Sequence, residues 1–303
     1  MPPTRIALVT ARPRPEVTAD PDMPLMLAAL TGAGALADAV AWDDEAVDWA
    51  GYDLVVIRSA WDYTWRSAEF LAWVDRCAAL TRLANAPSVV RWSGDKHYLG
   101  ALADAGVPVV PTRYLPPGGP AGADAGLPEQ QEFVIKPVLG AGARFAARYR
   151  PEQRERAYEQ LRLMHAEGLT AMVQPYMHRI AVTGERALVF VGGRLLHATR
   201  KEPVLVPDAR FDQRQTSAHP GIRLWTPTGP ELALAEQALA AVPGPAELLY
   251  ARVDLVDDDS GRPVLMELEL VEPNLFLHVR PEAAPTVARA FLAAAPTGGP
   301  ERG

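Results

Sequence analysis

Cysteine is almost absent from this 303-residue sequence. Its one cysteine, Cys77, lies in an apolar helical pattern, which excludes a disulfide framework and predicts a thiol in the core. No Cys and His spacing suited to zinc occurs, because the six histidines are scattered along the chain. The sequence therefore excludes the classes of small protein that disulfides or zinc hold together.

Long apolar runs and an excess of positive charge are also missing. No segment approaches the roughly 20 apolar residues of a membrane-spanning helix, and the run at residues 6–9 is too short for a signal-peptide core. We therefore expect a cytoplasmic protein without a membrane partner. The net charge of −7 argues against a nucleic-acid binder but leaves room for a local basic pocket that holds an anionic ligand.

Lysine is scarce too, and its three positions are Lys96, Lys136 and Lys201. Because arginine supplies the other 27 basic residues, a lysine is expected where a compact, mobile ammonium is needed. Lys136 lies in the strand-like run Phe133–Pro137, and a glycine turn with Gly140 and Gly142 follows. A strand lysine beside such a turn commonly holds a nucleotide phosphate. The alternative is three solvated surface lysines.

Strand and helix signals alternate over the first ~90 residues, which predicts a parallel α/β unit; later hairpins and helices predict α+β organisation. The clearest early strand is Asp53–Ser59, and an amphipathic helix is predicted over residues 67–83. Further along, a strand is predicted around residues 145–149, and Gly192 and Gly193 predict the turn of a hairpin. Ligands of parallel sheets bind at the carboxyl ends of strands, so the end of the strand Asp53–Ser59 is a candidate substrate loop. Its candidate residues are Arg58, Ser59, Trp61, Asp62 and Tyr63. The alternative is that the aromatic side chains simply pack.

The last predicted hairpin carries acidic side chains at regular spacing. Alternation along a strand directs Glu267 and Glu269 to one face, and Asp254 joins them if the two strands pair. Three converging carboxylates repel each other unless a cation neutralises them, and magnesium prefers such oxygen ligands. Arg252 lies beside them and can stabilise charge on a phosphoryl group. A solvated acidic face would fit the same pattern.

Common nucleotide-binding and hydrolase motifs do not fit. Residues 32–37 match G-x-G-x-x-A, but they end a helix and enter a strand, whereas a dinucleotide fingerprint follows a strand. The chain contains neither a P-loop motif nor G-x-S-x-G. These three classes of site are therefore excluded.

Taken together, the order and spacing of these features over roughly residues 5–294 resemble the ATP-grasp superfamily. The resemblance implies an N-terminal parallel α/β domain over residues 1–93. A central lid subdomain would follow over 94–175, and a C-terminal α+β subdomain with the metal site over 176–303. ATP would lie between the last two.

The resemblance also implies which residues bind the nucleotide. Lys96 and Lys136 would contact the phosphates, the glycine turn would close over them, and Glu185 would bind the ribose. A linker strand that hydrogen-bonds adenine would be formed by Gln174, Pro175, Tyr176 and Met177. The superfamily often has an acidic residue where Gln174 stands.

Metal and catalytic roles follow from the same resemblance. Arg252 and Asp254 match the Arg-x-Asp strand of D-alanine–D-alanine ligases, in which the arginine supports an acyl phosphate and the aspartate binds Mg²⁺. Glu267 fits the second metal ligand. Glu269 stands where asparagine is usual, which increases the negative charge and could admit Mn²⁺.

Further side chains would contact the γ-phosphate or a small amino-acid-like substrate. Lys201 and Arg200 resemble the basic pair near the γ-phosphate. The substrate carboxylate would be gripped by arginines, with Asp62 taking an ammonium group. These expected substrate contacts include Arg58, Arg200, Asn274 and, in the aperiodic segment 203–221, Arg210 and Arg214.

The implied activity is that of an ATP-dependent ligase. A small amino-acid carboxylate becomes an acyl phosphate, and a nitrogen nucleophile then displaces phosphate. The stretch from Arg58 to Tyr63 resembles cyclo-ligases that close O-ureido-D-serine to D-cycloserine. The alternatives are an intermolecular ligase of the glutathione-synthetase or D-alanine–D-alanine type, a catalytically silent nucleotide-binding module and a phosphotransferase. A homodimer is compatible with each of them.

Overall fold

A computed structural model describes residues 2–14, 19–119, 125–206, 208, 211, 221–244 and 247–296. The strands are β1 (Arg5–Thr10), β2 (Leu36–Ala41), β3 (Leu54–Ser59), β4 (Arg82–Ala84), β5 (Arg113–Leu115), β6 (Phe133–Pro137), β7 (Ala147–Tyr149), β8 (Ala171–Pro175), β9 (Glu185–Val191), β10 (Arg194–Lys201), β11 (Arg223–Trp225), β12 (Tyr250–Asp257) and β13 (Pro263–Glu269). The helices are α1 (Met23–Gly32), α2 (Ser67–Leu80), α3 (Pro87–Ser93), α4 (Tyr98–Asp104), α5 (Arg154–Ala166), α6 (Ile180–Thr183), α7 (Gly229–Ala240) and α8 (Ala284–Ala294). Within these ranges the strands form three sheets.

The N-terminal sheet is parallel, in the order β2-β1-β3-β4. Every residue of β3 is buried, which fits an inner parallel strand covered on both faces. A 3-10 turn over Trp61–Trp65 follows the carboxyl end of β3. The predicted parallel α/β unit is therefore confirmed, and it places the aromatic turn at the ligand-binding edge of the sheet.

Helices from the two ends of the chain cover one face of this sheet. Ile6 and Leu8 of β1 share a core with Met26 of α1 and Phe291 of α8. The opposite face packs against α2, where Trp42 meets Phe70 edge-to-face at 5.5 Å between ring centroids. The first and last elements of the chain thus belong to one hydrophobic core.

The central sheet is antiparallel, in the order β5-β8-β6-β7, and α5 packs against it. The loop between β6 and β7 requires glycine at two places. A Cβ on Gly140 would lie 2.8 Å from Pro137 Cγ, and Gly142 has a φ of 60°. Gly140 and Gly142 of this glycine loop line the same cavity as Glu267 of the C-terminal sheet.

The C-terminal sheet has the order β11-β10-β9-β12-β13, and its neighbouring strands are antiparallel. The predicted turn at Gly192 and Gly193 is confirmed, since both have positive φ and join β9 to β10 as a tight hairpin. In the β12–β13 hairpin, Asp254 lies directly opposite Glu267, and Arg252 lies opposite Glu269. The predicted hairpin is therefore confirmed, and the three carboxylates come to one sheet region.

Some element bounds differ from the sequence-based expectations. The helix predicted over residues 67–83 ends at Leu80, because residues 82–84 pair with β3 instead. The strand predicted from Phe145 begins at Ala147, because Phe145 has a φ of 55°. The sequence reading missed α3 altogether. None of the helices in the described ranges has the length and apolar character needed to cross a membrane.

Candidate functional site

A cleft separates the central sheet from the C-terminal sheet, and we call it the inter-sheet cleft. Its empty volume is about 1120 Å³. Many of the sequence-predicted residues line it together: Lys96, Lys136, Gly140, Gly142, Gln174, Pro175, Tyr176, Met177, Glu185, Lys201, Arg252, Asp254, Glu267 and Glu269. Residues far apart in sequence thus converge on one concave site, as a ligand-binding site requires.

Two lysines meet Glu267 at one end of this cleft. Lys96 Nζ lies 3.1 Å from Glu267 Oε1 and donates to the Gly140 carbonyl at 2.6 Å. Lys136 Nζ lies 3.7 Å from Glu267 Oε2. Burial disfavours the Lys96 ammonium, but Glu267 outweighs burial and raises the pKa of Lys96. Lys96 therefore presents positive charge beside the glycine loop, where anionic phosphates can bind.

Asp254 has a different set of cations. Its Oδ2 lies 3.3 Å from Lys201 Nζ, and its Oδ1 accepts a hydrogen bond from Arg252 Nε at 2.9 Å. Lys201 also pairs with Glu185, and Arg252 also pairs with Glu269. Burial opposes ionisation of Asp254, but Arg252 and Lys201 outweigh it and lower the pKa of this carboxyl. Asp254 is therefore a carboxylate at neutral pH.

Another part of the cleft wall is largely apolar. Gln174 lies on this wall and donates to Thr112 Oγ1 at 2.8 Å, so its side-chain amide is already held. Arg148 stacks over the Tyr176 ring at 3.4 Å. The apolar lining comes from Val110, Val134, Met177, Ile180, Val204, Leu205 and Met266. Such a surface suits the flat face of a heteroaromatic ring.

A second cavity, which we call the polar pocket, opens from the same region toward the N-terminal sheet. Its empty volume is about 660 Å³. Trp61 and Tyr63 line it from the N-terminal side, while Asn274 and Glu272 line it from the segment after β13. The two cavities share Lys96, Gly140, Ala141, Gly142, Arg252, Glu267 and Glu269. The polar pocket thus adjoins the phosphate end of the cleft.

Four other candidates lie outside both cavities, which departs from the sequence expectation. Arg58 is fully buried and donates to the Pro273 carbonyl at 2.9 Å. Ser59 donates to Thr10 Oγ1 at 3.0 Å. Strand alternation accounts for this result, because these side chains point into packed interior rather than past the strand end.

Asp62 and Arg200 are the other two candidate residues that lie outside both cavities. Asp62 is buried and accepts a hydrogen bond from Trp42 Nε1 at 2.8 Å, within the aromatic core under α2. Arg200 donates to the Thr183 carbonyl at 2.7 Å and the Val182 carbonyl at 3.0 Å, and so supports the end of α6. Arg210 and Arg214 lie outside the described residues.

Sequence reasoning missed Glu272 and Tyr98, which both line the polar pocket. Glu272 follows the acidic pair Glu267 and Glu269 by three residues, but β13 ends at Glu269, so strand alternation says nothing about its direction. An acidic residue just past the end of an acidic strand was the available signal. Tyr98 gave no such signal, because an aromatic ring at this position fits the core beneath a helix as well as it fits a binding pocket.

A divalent cation is compatible with the paired carboxylates of β12 and β13. Across the described ranges, no three Asp, Glu, His or Cys side chains form a group that could hold a metal ion by themselves. Asp254 and Glu267, directly opposite each other, offer two hard oxygen ligands, whereas Glu269 is held by Arg252. This donor set fits an ion that takes its remaining ligands from phosphates and water.

Comparisons with known proteins point to one family. Residues 6–85 match the family described as D-cycloserine synthetase DcsG, N-terminal domain. The cycloserine biosynthesis protein DcsG of Streptomyces lavendulae is 36% identical over 286 residues, which cover 90% of this chain and 93% of that protein.

Solved structures agree with this match. The crystal structure of D-cycloserine synthetase DcsG has a TM-score of 0.86 at 35% identity, over 96% of this chain and 100% of that chain. The D-alanine–D-alanine ligase of Bacillus anthracis has a TM-score of 0.67 at 13% identity, over 96% of this chain and 97% of that chain. The RimK domain protein ATP-grasp of Sphaerobacter thermophilus has a TM-score of 0.63 at 20% identity, over 95% of this chain and 99% of that chain. The last two likenesses concern the fold, which is that of ATP-grasp ligases.

Proposed function

This chain belongs to the family of the cycloserine biosynthesis protein DcsG and is an ATP-dependent ligase with the ATP-grasp fold, and from that premise we propose that it closes O-ureido-D-serine to D-cycloserine. One observation carries the proposal. The inter-sheet cleft and the polar pocket meet at Lys96, Arg252 and Glu267, which is where a γ-phosphate and a substrate carboxylate must meet. ATP and a divalent metal ion are the expected cosubstrate and cofactor.

The adenine ring would occupy the apolar part of the cleft, and the triphosphate would extend toward the lysines. Lys96 and Lys136 both reach Glu267 without a nucleotide, so binding phosphates replaces this pairing with charge-assisted hydrogen bonds. The glycine loop lies over the same place and would exclude water when it closes. Exclusion of water protects an acyl phosphate from hydrolysis.

The metal ion is proposed to be Mg²⁺, with Asp254 and Glu267 as its protein ligands. When bound, Mg²⁺ neutralises charge on the phosphates during transfer. Lys201 and Arg252 keep Asp254 ionised, which a metal ligand requires. Glu269 is a further candidate ligand if its contact with Arg252 is exchanged for the metal.

Arg252 has the central catalytic position, because it lines both cavities. Its guanidinium is placed to stabilise the negative charge that develops as the substrate carboxylate takes the phosphoryl group. The ureido nitrogen that is bonded to oxygen then attacks the acyl carbon, forms the C–N bond of the ring and displaces phosphate. The carbamoyl group leaves this nitrogen as isocyanic acid, and a proton takes its place, which gives D-cycloserine. The polar pocket holds the reacting ends of the substrate together, which supplies the proximity that cyclisation needs.

The proposal is tested by measuring ADP and phosphate release from Mg-ATP with a panel of small amino acids that includes O-ureido-D-serine. Products are identified by mass spectrometry. Release with O-ureido-D-serine alone, together with the mass of the cyclic product, is the expected result. Release that needs two amino acids and gives a dipeptide mass would replace the proposal with an intermolecular ligase. Tight ATP binding without any release would leave a silent nucleotide-binding module.

A further inference from the structure

The polar pocket contains one carboxylate without a cation of its own. Glu267 is paired with Lys96, and Glu269 is paired with Arg252. Glu272 lines the same pocket, and within the described part of the chain its carboxylate has no hydrogen bond or ion pair. Among the described residues, Glu272 is therefore the one carboxylate of this pocket that forms no ion pair.

The backbone around Glu272 is held firmly by the N-terminal domain. Trp61 Nε1 donates to the Glu272 carbonyl at 3.3 Å, and Arg58 donates to the next carbonyl, that of Pro273, at 2.9 Å. Glu272 itself is 8% exposed. Two side chains from the end of β3 and the turn after it thus hold the backbone that carries the buried Glu272 side chain, and this gives buried Arg58 a supporting role.

Aromatic rings complete the surroundings of this carboxylate. Trp61, Tyr63 and Tyr98 line the pocket with it. Burial, and after it the Glu272 carboxylate, raise the pKa of Tyr63 well above its usual range, so the phenol stays neutral beside the charge. A carboxylate among aromatic faces is a combination that binds ammonium groups, because the rings add cation–π attraction.

An unpaired, buried carboxylate is costly to keep ionised. Burial is the main cause that raises the pKa of Glu272 to about 8, and the neighbouring Glu269 raises it further. A ligand that brings a positive charge would relieve this cost, whereas a neutral or anionic ligand would not. The part of the polar pocket beside Glu272 therefore favours a cationic group.

We propose that Glu272 binds the protonated α-amino group of the substrate and so selects amino acids over the corresponding 2-hydroxy acids. This inference rests on the proposed function, because it assigns one end of the same substrate. Glu272, which lines the pocket, thus takes the ammonium contact that was expected at Asp62, because Asp62 lies in the aromatic core. The substrate carboxylate is then directed toward Arg252, which lines both the polar pocket and the inter-sheet cleft.

The test compares O-ureido-D-serine with its analogue that carries hydroxyl in place of the α-amino group. Calorimetry measures binding of each compound to wild type and Glu272→Gln, with ADP and Mg²⁺ present. Wild type should prefer the amino compound, and Glu272→Gln should weaken its binding about 10- to 100-fold while changing the hydroxy analogue less than about 3-fold. Glu272→Asp, which keeps the charge, should retain part of the preference.

Glu236→Gln, an exposed position on α7, is the matched control and should behave as wild type. Equal weakening of both compounds in Glu272→Gln, or equal binding of both by wild type, would overturn the proposal, as would failure of wild type to bind either one. ADP release is measured on the same samples. An amino preference that depends on Glu272, without ADP release from wild type, would support the ammonium site and reject the ligase function proposed above.

Discussion

Asp254 and Glu267 face each other across the β12–β13 hairpin, yet each is held by different cations. Lys201 and Arg252 contact Asp254, whereas Lys96 and Lys136 contact Glu267. The two carboxylates thus lie among four basic side chains drawn from four segments of the chain. Each of these four cations has at least one carboxylate partner.

Removal of the strand lysine should abolish tight nucleotide binding. Lys136→Ala deletes an ammonium under the glycine loop, and we expect ATP affinity to fall at least about 10-fold, since hydrogen bonds to charged groups are worth about 1.5–3 kcal/mol. Calorimetric titration with an ATP analogue measures the change. Arg162→Ala, an exposed change on α5, is the control. Wild-type affinity in Lys136→Ala would remove this residue from the phosphate site.

Neutralising the expected metal ligand should affect the metal requirement more than nucleotide contact. Glu267→Gln keeps the size of the side chain but removes charge that a hard cation needs. We expect turnover to fall about 100-fold or more and the Mg²⁺ concentration for half-maximal ADP release to rise. A Mg²⁺ titration of ADP release checks this. An unchanged metal requirement would show that Glu267 serves the lysines alone.

Asp62 should matter for stability rather than for substrate affinity. Its carboxylate is buried and accepts from Trp42 Nε1, so Asp62→Ala leaves a buried donor unsatisfied at a cost of about 1–3 kcal/mol. Urea unfolding should show this loss, while the KM for the amino acid stays within about 2-fold because Asp62 lies outside the polar pocket. A large rise in KM with little loss of stability would return Asp62 to the substrate site.

The unpaired carboxylate of Glu272 should reduce the stability of the unliganded protein at alkaline pH. Its pKa rises from 4.5 to about 8 on folding, so the folded state binds the proton more tightly than the unfolded state does. Stability from this group is fully present below pH 4.5 and is lost as the pH rises through about 8. Glu272→Gln does not titrate and should therefore gain over wild type as the pH increases.

The expected gain at pH 9 is at least about 1 kcal/mol, or roughly 2 °C or more in melting temperature. At pH 5 the difference between the two proteins should be much smaller. Thermal unfolding at both pH values, with Glu236→Gln as control, measures the difference in melting temperature between wild type and Glu272→Gln. Parallel pH profiles for wild type and Glu272→Gln would show that the carboxylate is solvated or paired in solution.

The proposed nucleotide side of the site could be placed from sequence because its residues lie on regular strands. Lys136 on β6 and Asp254 on β12 are located by alternation and hairpin pairing, which are local rules. The substrate side was harder. Trp61 and Tyr63 line the pocket as expected, but Arg58 points into the interior from β3. Asp62 points elsewhere because the 3-10 turn Trp61–Trp65 directs successive side chains into different surroundings.

Glu272 lies beyond the end of β13, where the two-residue alternation of strand side chains no longer predicts direction. Its position depends on hydrogen bonds from Trp61 and Arg58, more than 200 residues earlier in the chain. Contacts of that range are set by how the N-terminal and C-terminal parts pack, and nothing in the local sequence encodes them. Packing likewise decided that residues 82–84 pair as a strand, although the helical period of α2 continued through Leu83.

The pairing of α1 with α8 has a consequence for synthesis of the protein. On a ribosome, β1 and α1 emerge first and α8 emerges last. The apolar surface of Ile6, Leu8 and Met26 is therefore not fully covered until Phe291 has been synthesised. The N-terminal sheet therefore cannot complete its fold during translation, and its exposed face is the region of the nascent chain most open to chaperones or aggregation.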